Sequence, residues 1–204
     1  GLSAPQKAMF DMLFMDDADE QQMQLDEGYR GRAHVGSAAF ISALSGDSNK
    51  FFDTIKSIAE GASGQTVNVF FVGSAFGGTG AAGFPTLARR LYRLRKENKF
   101  GNASNIRIGG MLMLPYFLFG SPEDENEAAV TPDELLPKTQ LALEYYHNLF
   151  KHEPCFDMFY TLGWDNPYQL GYHQAGSAEQ SNPALPAELL SATAAIDFFR
   201  KMTA

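Results

Sequence analysis

The sequence has few cysteines and few basic residues, and it contains no long hydrophobic run. Cys155 is the only cysteine, which excludes an internal disulfide and is typical of a reducing compartment. The chain has 16 Lys and Arg against 24 Asp and Glu, and this net charge of -8 disfavours a nucleic-acid-binding protein. No apolar run reaches the ~20 residues that span a bilayer, and the N-terminus lacks the basic-then-apolar order of a signal peptide. These absences predict a cytoplasmic protein with no nucleic-acid or membrane partner.

The remaining composition is that of a globular domain. The 204 residues are 45% hydrophobic and 20% charged, which is enough to build one domain with a substantial core. Residues 1–27 are interpreted as a peripheral helix and an acidic connector, and residues 28–204 as the core. The chain begins with Gly1 in the middle of a pattern, so we expect it to be a piece of a longer protein.

Three apolar segments predict the strands of one sheet: "TVNVFFVG" (66–73), "NIRIGGMLMLP" (105–115) and "CFDMFYTLGWDNPY" (155–168). A helix with Pro85 near its start and an inner stripe of leucines at 87, 91 and 94 is expected between the first two. This order predicts an α/β fold whose mostly parallel sheet is flanked by helices on both faces. Residues 116–134 are expected to form a long acidic loop, and 169–182 an irregular segment. A last helix is expected to begin at Asn182 and Pro183.

The segment "FFVGSAFGGTGAAGFPTLARRL" (70–91) combines a strand, a glycine-rich turn and the start of a helix. Such a junction directs several backbone N–H groups and the positive end of the helix at one point, which favours an anion such as phosphate. Glycine permits a close approach and, where the turn needs it, a positive φ. The alternative is a tight turn that holds no ligand.

Two common nucleotide motifs do not fit this turn. Residues 78–83 satisfy G-x-G-x-x-G, but a dinucleotide site also needs an acidic residue after the second strand. The sequence there is "MLMLPYF", and the next acidic residue is Glu123. A P-loop would need Gly-Lys followed by Ser or Thr, which is absent.

A third pattern fits better. Residues 67–91, "VNVFFVGSAFGGTGAAGFPTLARRL", resemble the tubulin/FtsZ signature, in which a strand leads into a glycine-rich phosphate loop and a helix. "GRAHVGSAAF" (31–40) resembles the loop and helix start that face the terminal phosphate in that family. "NIRIGGMLMLPYF" resembles the next strand, and "FDMFYTLGWDNPY" the strand that ends in an Asn-bearing loop beside the guanine. "NPALPAELLSATAAIDFF" lies where the central helix of the family begins, so the resemblance covers roughly residues 28 to 202.

The resemblance implies a tubulin/FtsZ-like, Rossmann-like nucleotide-binding domain, here a fragment. It implies binding of GTP with Mg²⁺, and hydrolysis that is completed only on head-to-tail self-assembly. Neither a catalytic residue nor a metal ligand is assigned to this chain, because the family's hydrolytic acids follow the central helix. The implied ligands of the phosphates are Gly77, Gly78, Thr79, Gly80 and Ala81, those of the γ-phosphate are Gly31, Arg32 and Ala33, and those of the base are Asn166 and Asn182.

Two alternative functions remain open. Phe76 stands where the family has the first glycine of its triplet, which favours a tubulin-like interaction scaffold that has lost nucleotide binding. A Rossmann NAD(P)-binding protein would require the strand at residue 67 to be the first of the sheet, whereas the tubulin-like interpretation places it in mid-sheet. Three of the candidate ligands also have structural alternatives: Asn182 as a helix cap, Asn166 as a turn residue and Arg32 as a surface charge.

Overall fold

The structure, a computed structural model, describes Ala4 and residues 32–44, 49–100, 105–120, 132–172 and 183–203. In chain order, the helices are α1 Ala33–Leu44, α2 Lys50–Gly61, α3 Gly78–Lys96, α4 Pro132–His152 and α5 Pro186–Thr203. The strands are β1 Val67–Ser74, β2 Ile106–Met113, β3 Phe117–Gly120, β4 Met158–Leu162 and β5 Tyr168–Tyr172.

The main sheet has the strand order β1-β2-β4, and both pairings are parallel. The predicted α/β fold with a parallel sheet is therefore confirmed. Within the described residues β1 pairs only with β2, which places it at an edge of the sheet. A second, two-stranded parallel sheet pairs β3 with β5. The sequence interpretation was wrong there, because it assigned β3 to a long loop and most of β5 to an irregular segment.

Helices cover both faces of the main sheet, as predicted. On one face, Phe71 of β1 and Ile108 of β2 pack in a cluster with buried residues of α2 and with Leu91 of α3. On the other face, Phe70 of β1 lies 5.3 Å from Phe198 of α5, measured between ring centroids. The predicted inner stripe of α3 is confirmed, since its three leucines pack in the first cluster.

Two glycines of the central strand let aromatic rings approach from both faces. A Cβ on Gly109 would lie 2.6 Å from the ring of Phe70, on the face covered by α5. A Cβ on Gly110 would lie 2.6 Å from the ring of Phe156, on the opposite face. Such distances are too short for any real Cβ, so a larger residue at either position would displace an aromatic ring from the core.

The final helix begins later than the sequence suggested. Its first residue is Pro186 and not Pro183, so Pro186 is the proline that occupies the first helical position. The preceding Leu185 donates its backbone N–H to the Glu188 carboxylate at 3.3 Å. Glu188 is the third residue of the helix, so its side chain accepts from the backbone N–H of the residue that precedes the helix, as in a capping box. Asn182, the predicted cap, lies outside the described residues.

Candidate anion-binding site

The glycine-rich turn connects the end of β1 to the start of α3. Ala75 donates its backbone N–H to the carbonyl of Met113 at 2.9 Å, which ties the turn to the end of the neighbouring strand. Gly77 is the N-cap of α3 and has an extended backbone, with φ -91° and ψ 145°, and no side chain caps this helix. Because the first N–H groups of a helix have no acceptor within it, the start of α3 presents backbone donors to an anion.

Gly80 of the turn is required by packing rather than by backbone conformation. A Cβ on Gly80 would lie 2.8 Å from the backbone nitrogen and 2.9 Å from the carbonyl oxygen of Ser74. A Cβ on Gly77 would lie 2.9 Å from the Ser74 hydroxyl. Among the described glycines only Gly64 has a positive φ. The left-handed conformation considered for the turn therefore does not occur at Gly77, Gly78 or Gly80. The lack of a side chain at Gly80 lets the helix start lie against the strand end.

A tyrosine from α4 compensates for a proline inside α3. Since α3 begins at Gly78, Pro85 lies in the helix interior, and the prediction that it lies near the start was wrong. Proline has no N–H, so the carbonyl of Ala81 lacks its normal helical donor. The Tyr146 hydroxyl donates to that carbonyl at 2.6 Å. Burial, with a smaller effect of Tyr145, raises the pKa of Tyr146 well above its ordinary value, so the hydroxyl keeps its proton.

The same turn forms one wall of a cleft of about 390 Å³, which we call the loop cleft. Its other walls are the start of α1 and the middle of α4. The start of α1 is held near the turn because α1 packs along α3, where the ring of Phe40 fills the space above Gly83. The lining residues are Arg32, Ala33, His34, Ser37, Ala75, Phe76, Gly77, Ala81, Lys138, Leu141, Ala142, Tyr145 and Tyr146.

The charges of the loop cleft suit an anion. Arg32 and Lys138 contribute cationic side chains, and the described lining residues include no carboxylate. Lys138 also forms an ion pair with Glu134, at 3.0 Å on the surface of α4. Phe76 is 9% exposed and packs its ring 5.6 Å from that of Phe117. Phe76 thus takes part in the packing against β3 as well as in the wall of the cleft.

The structure brings some of the predicted site residues together and leaves others apart. Arg32, Ala33, Gly77 and Ala81 line the loop cleft together. The remaining turn residues 78–80 do not line it, although they adjoin it in the helix start. Asn166 is exposed between β4 and β5 and is not part of the lining. Gly31 and Asn182 lie outside the described residues.

Sequence reasoning missed the contribution of α4 to the cleft. Lys138, Tyr145 and Tyr146 line it from a helix that is distant in sequence, and no motif marks them. The available signal was indirect: Pro85 in a long helical pattern implies a carbonyl that needs a donor from elsewhere. Cys155 is fully buried, and burial raises the pKa of its thiol to about 11, so the thiol is not a reactive group at neutral pH.

Comparison of the chain with models of protein families gives no match, and neither do comparisons with curated proteins and with solved structures. The tubulin/FtsZ resemblance therefore stays a prediction that rests on the residues quoted above. Across the described ranges, no helix combines the length and apolar character needed to cross a membrane. The class that the fold defines is an α/β domain with a parallel sheet and a glycine-rich turn at the carboxyl end of β1.

Proposed function

We propose that the loop cleft binds the phosphate groups of a nucleotide. The observation that carries this proposal is the position of Arg32 and Ala33 beside Gly77 and Ala81. The resemblance assigns these two distant segments to phosphates of the same nucleotide, and they line the same cleft. The positive end of α3 and the arginine supply the donors that a phosphate needs.

On the basis of the resemblance, we further propose that the nucleotide is GTP and that its hydrolysis requires head-to-tail self-assembly of the complete protein. The sheet gives this proposal geometric support. Because β1 and β4 both run parallel to β2, the glycine-rich turn and the loop that carries Asn166 leave the sheet at the same edge. Ligands of open α/β sheets bind at that edge, so Asn166 remains the candidate for contact with the base.

The described residues of this cleft do not supply a fitting set of protein ligands for Mg²⁺. The ion prefers oxygen ligands and is usually held by one or two carboxylates together with substrate phosphates. The described lining supplies no carboxylate, and no group of three or more His, Cys, Asp or Glu that could hold a metal occurs in the described ranges. We therefore assign no protein ligand to the ion and derive no hydrolytic step.

Two observations favour the alternative of an interaction scaffold. The glycines at 77 and 80 are already explained by their contacts with Ser74, and Phe76 is already explained by its packing on Phe117. These three residues of the turn therefore have packing roles that do not require a ligand. In this alternative the tubulin-like arrangement would serve contacts with other proteins, and the loop cleft would bind no nucleotide.

The Rossmann alternative has mixed support. Within the described strands β1 is the first in chain order, as an NAD(P) site would require, but it pairs only with β2, whereas the first strand of a Rossmann sheet has a neighbour on each side. In addition, β2 ends at Met113 and is followed by Leu114, Pro115 and Tyr116, so the residues directly after the strand supply no carboxylate for the ribose.

Thermal melting with GTP, ATP or NAD, each with Mg²⁺, separates the three functions. A ligand at 100 times its Kd stabilises the folded state by about 2.7 kcal/mol, which raises Tm by a few degrees. We expect this shift with GTP and expect Arg32→Gln to reduce it, whereas Arg200→Gln, which removes an arginine from α5, leaves it unchanged. A shift with NAD alone would support the Rossmann alternative. Cooperative melting with no shift would support the scaffold.

A further inference from the structure

A second cavity, which we call the arginine groove, lies between α1 and α3 next to the loop cleft. Its volume is about 540 Å³. Ser37 and Tyr145 line both cavities, so the groove continues from the cleft along the surface. The remaining lining residues are Ile41, Leu44, Pro85, Thr86, Arg89, Arg90 and Arg93.

The arginine groove carries an excess of positive charge on a protein that is acidic overall. Three arginines line it, and none of its described lining residues is a carboxylate. Glu153, at the end of α4, forms ion pairs with Arg89 and Arg93. Among the described residues this single carboxylate faces three guanidinium groups, which leaves an excess of two positive charges in that part of the structure. Like charges on neighbouring turns of a helix repel each other, and a bound anion would relieve that repulsion.

Glu153 orients two of the guanidinium groups without using all their donors. It accepts from Nε of Arg89, and from Nε and Nη2 of Arg93 at 2.9 and 2.8 Å. Each arginine has five N–H donors, so most of them are left for another acceptor. Partial burial would raise the pKa of Glu153, but the hydrogen bonds from both arginines outweigh it and the pKa is lowered. The carboxylate therefore stays charged near neutral pH and keeps both guanidinium groups in place.

Arg90 is the arginine best placed to contact a ligand. It is exposed, lines the groove, and takes part in none of the ion pairs that the described residues form. The side of the groove formed by α1 is different in character. Ile41 is 59% exposed there and lies beside Leu44, so a ligand would meet apolar surface on one side and guanidinium groups on the other.

We propose that the arginine groove is a second ligand site, separate from the loop cleft, for a small molecule that carries a phosphate and a compact apolar part. The phosphate is bound by Arg90 and by the remaining donors of Arg89 and Arg93, because guanidinium groups bind phosphate in a bidentate manner. The apolar part lies on Ile41 and Leu44. This site does not depend on nucleotide binding in the loop cleft.

Isothermal titration with phenyl phosphate and with inorganic phosphate, at constant ionic strength, tests the site in the whole chain. We expect saturable binding of both, several-fold tighter for phenyl phosphate because its ring buries apolar surface. Arg90→Gln should weaken both about tenfold, the effect of losing one charge-assisted contact. Arg90→Lys should recover part of the loss, and the matched control Arg200→Gln should change the affinity by less than about twofold.

The remaining outcomes separate this site from the loop cleft. If Arg32→Gln weakens binding and Arg90→Gln does not, the phosphate binds in the loop cleft and the proposal is overturned. Equal effects of Arg90→Gln and Arg200→Gln, or no saturable binding by the unchanged chain, also overturn it. Equal affinities for the two probes would overturn the apolar part of the site. A loss in Arg90→Gln supports the site whether or not the chain binds GTP.

Discussion

The two ends of α3 are held in place by different forces. At the N-terminal end, Gly80 packs against the backbone of Ser74, and the buried Tyr146 hydroxyl donates to Ala81. At the C-terminal end, arginines of the helix pair with Glu153 and with Asp157, which also accepts from the backbone N–H of Ile108 at 2.7 Å. One end is thus positioned by shape and by a buried hydrogen bond, and the other by charge at the surface.

This difference has consequences for energy and for function. A close-packed backbone contact tolerates no added atom, whereas an ion pair near the surface is weakened by solvent and salt. The N-terminal end should therefore be the more sensitive to substitution. It also presents backbone N–H groups of the helix start to a ligand, whereas a ligand near the other end meets the arginine side chains of the helix.

The largest effect is expected for Gly80→Ala. The added Cβ would collide with three backbone and side-chain atoms of Ser74, and neither the strand end nor the helix start can move away cheaply. We expect a loss of about 3 kcal/mol in the free energy of unfolding, measured by urea denaturation. The matched control is Gly61→Ala in α2, where a Cβ meets nothing within 4 Å. Equal stability of the two variants would show that the turn can relax.

Tyr146→Phe should have an intermediate effect. It removes the donor to the Ala81 carbonyl and leaves that buried oxygen unpaired, at a cost of about 1.5 kcal/mol. Tyr145→Phe is the control, because the neighbouring tyrosine is 54% exposed. The cause can be tested in a Pro85→Ala background, where residue 85 regains an N–H for the Ala81 carbonyl. If Tyr146→Phe costs the same in both backgrounds, the hydroxyl does not compensate for the proline.

Glu153→Gln should have the smallest effect, at most about 1 kcal/mol at neutral pH, because its partners are partly exposed to solvent. The effect should depend on pH. The pKa of Glu153 is lowered below its ordinary 4.5 in the folded state, so the carboxylate stabilises the fold above that value. This stabilisation is lost as the pH falls through the lowered pKa, and the two proteins should then become equally stable. A stability difference that persisted in acid would assign the effect to packing.

Much of the main sheet could be predicted because its strands have simple patterns. The segments of β1, β2 and β4 are apolar and bounded by glycine or proline, and the leucine stripe of α3 follows the helical period. Both signals are local, so they need no knowledge of what packs against them. The cap of α2 is a local feature as well, since the Asn49 side chain accepts from the backbone N–H of Phe51, two residues further on.

The features that were missed depend on distant partners. β3 and β5 are short, and each exists as a strand because it pairs with the other. Pro85 is tolerated inside α3 because Tyr146 replaces the missing donor from another helix. The loop cleft combines α1, the glycine turn and α4, and no local pattern of α4 indicates that it lies beside the turn. A motif could therefore predict the turn residues but not the side chains that face them.

The most direct test of the proposed nucleotide site is to follow the backbone amide signals of Gly78, Thr79 and Gly80 by NMR during a GTP titration. If phosphate binds at the start of α3, these signals and that of Arg32 should shift in a saturable way with one common Kd, while the signal of Gly171, in the separate β3–β5 sheet, stays fixed. Unchanged turn amides at saturating GTP, or shifts confined to another surface, would contradict the site.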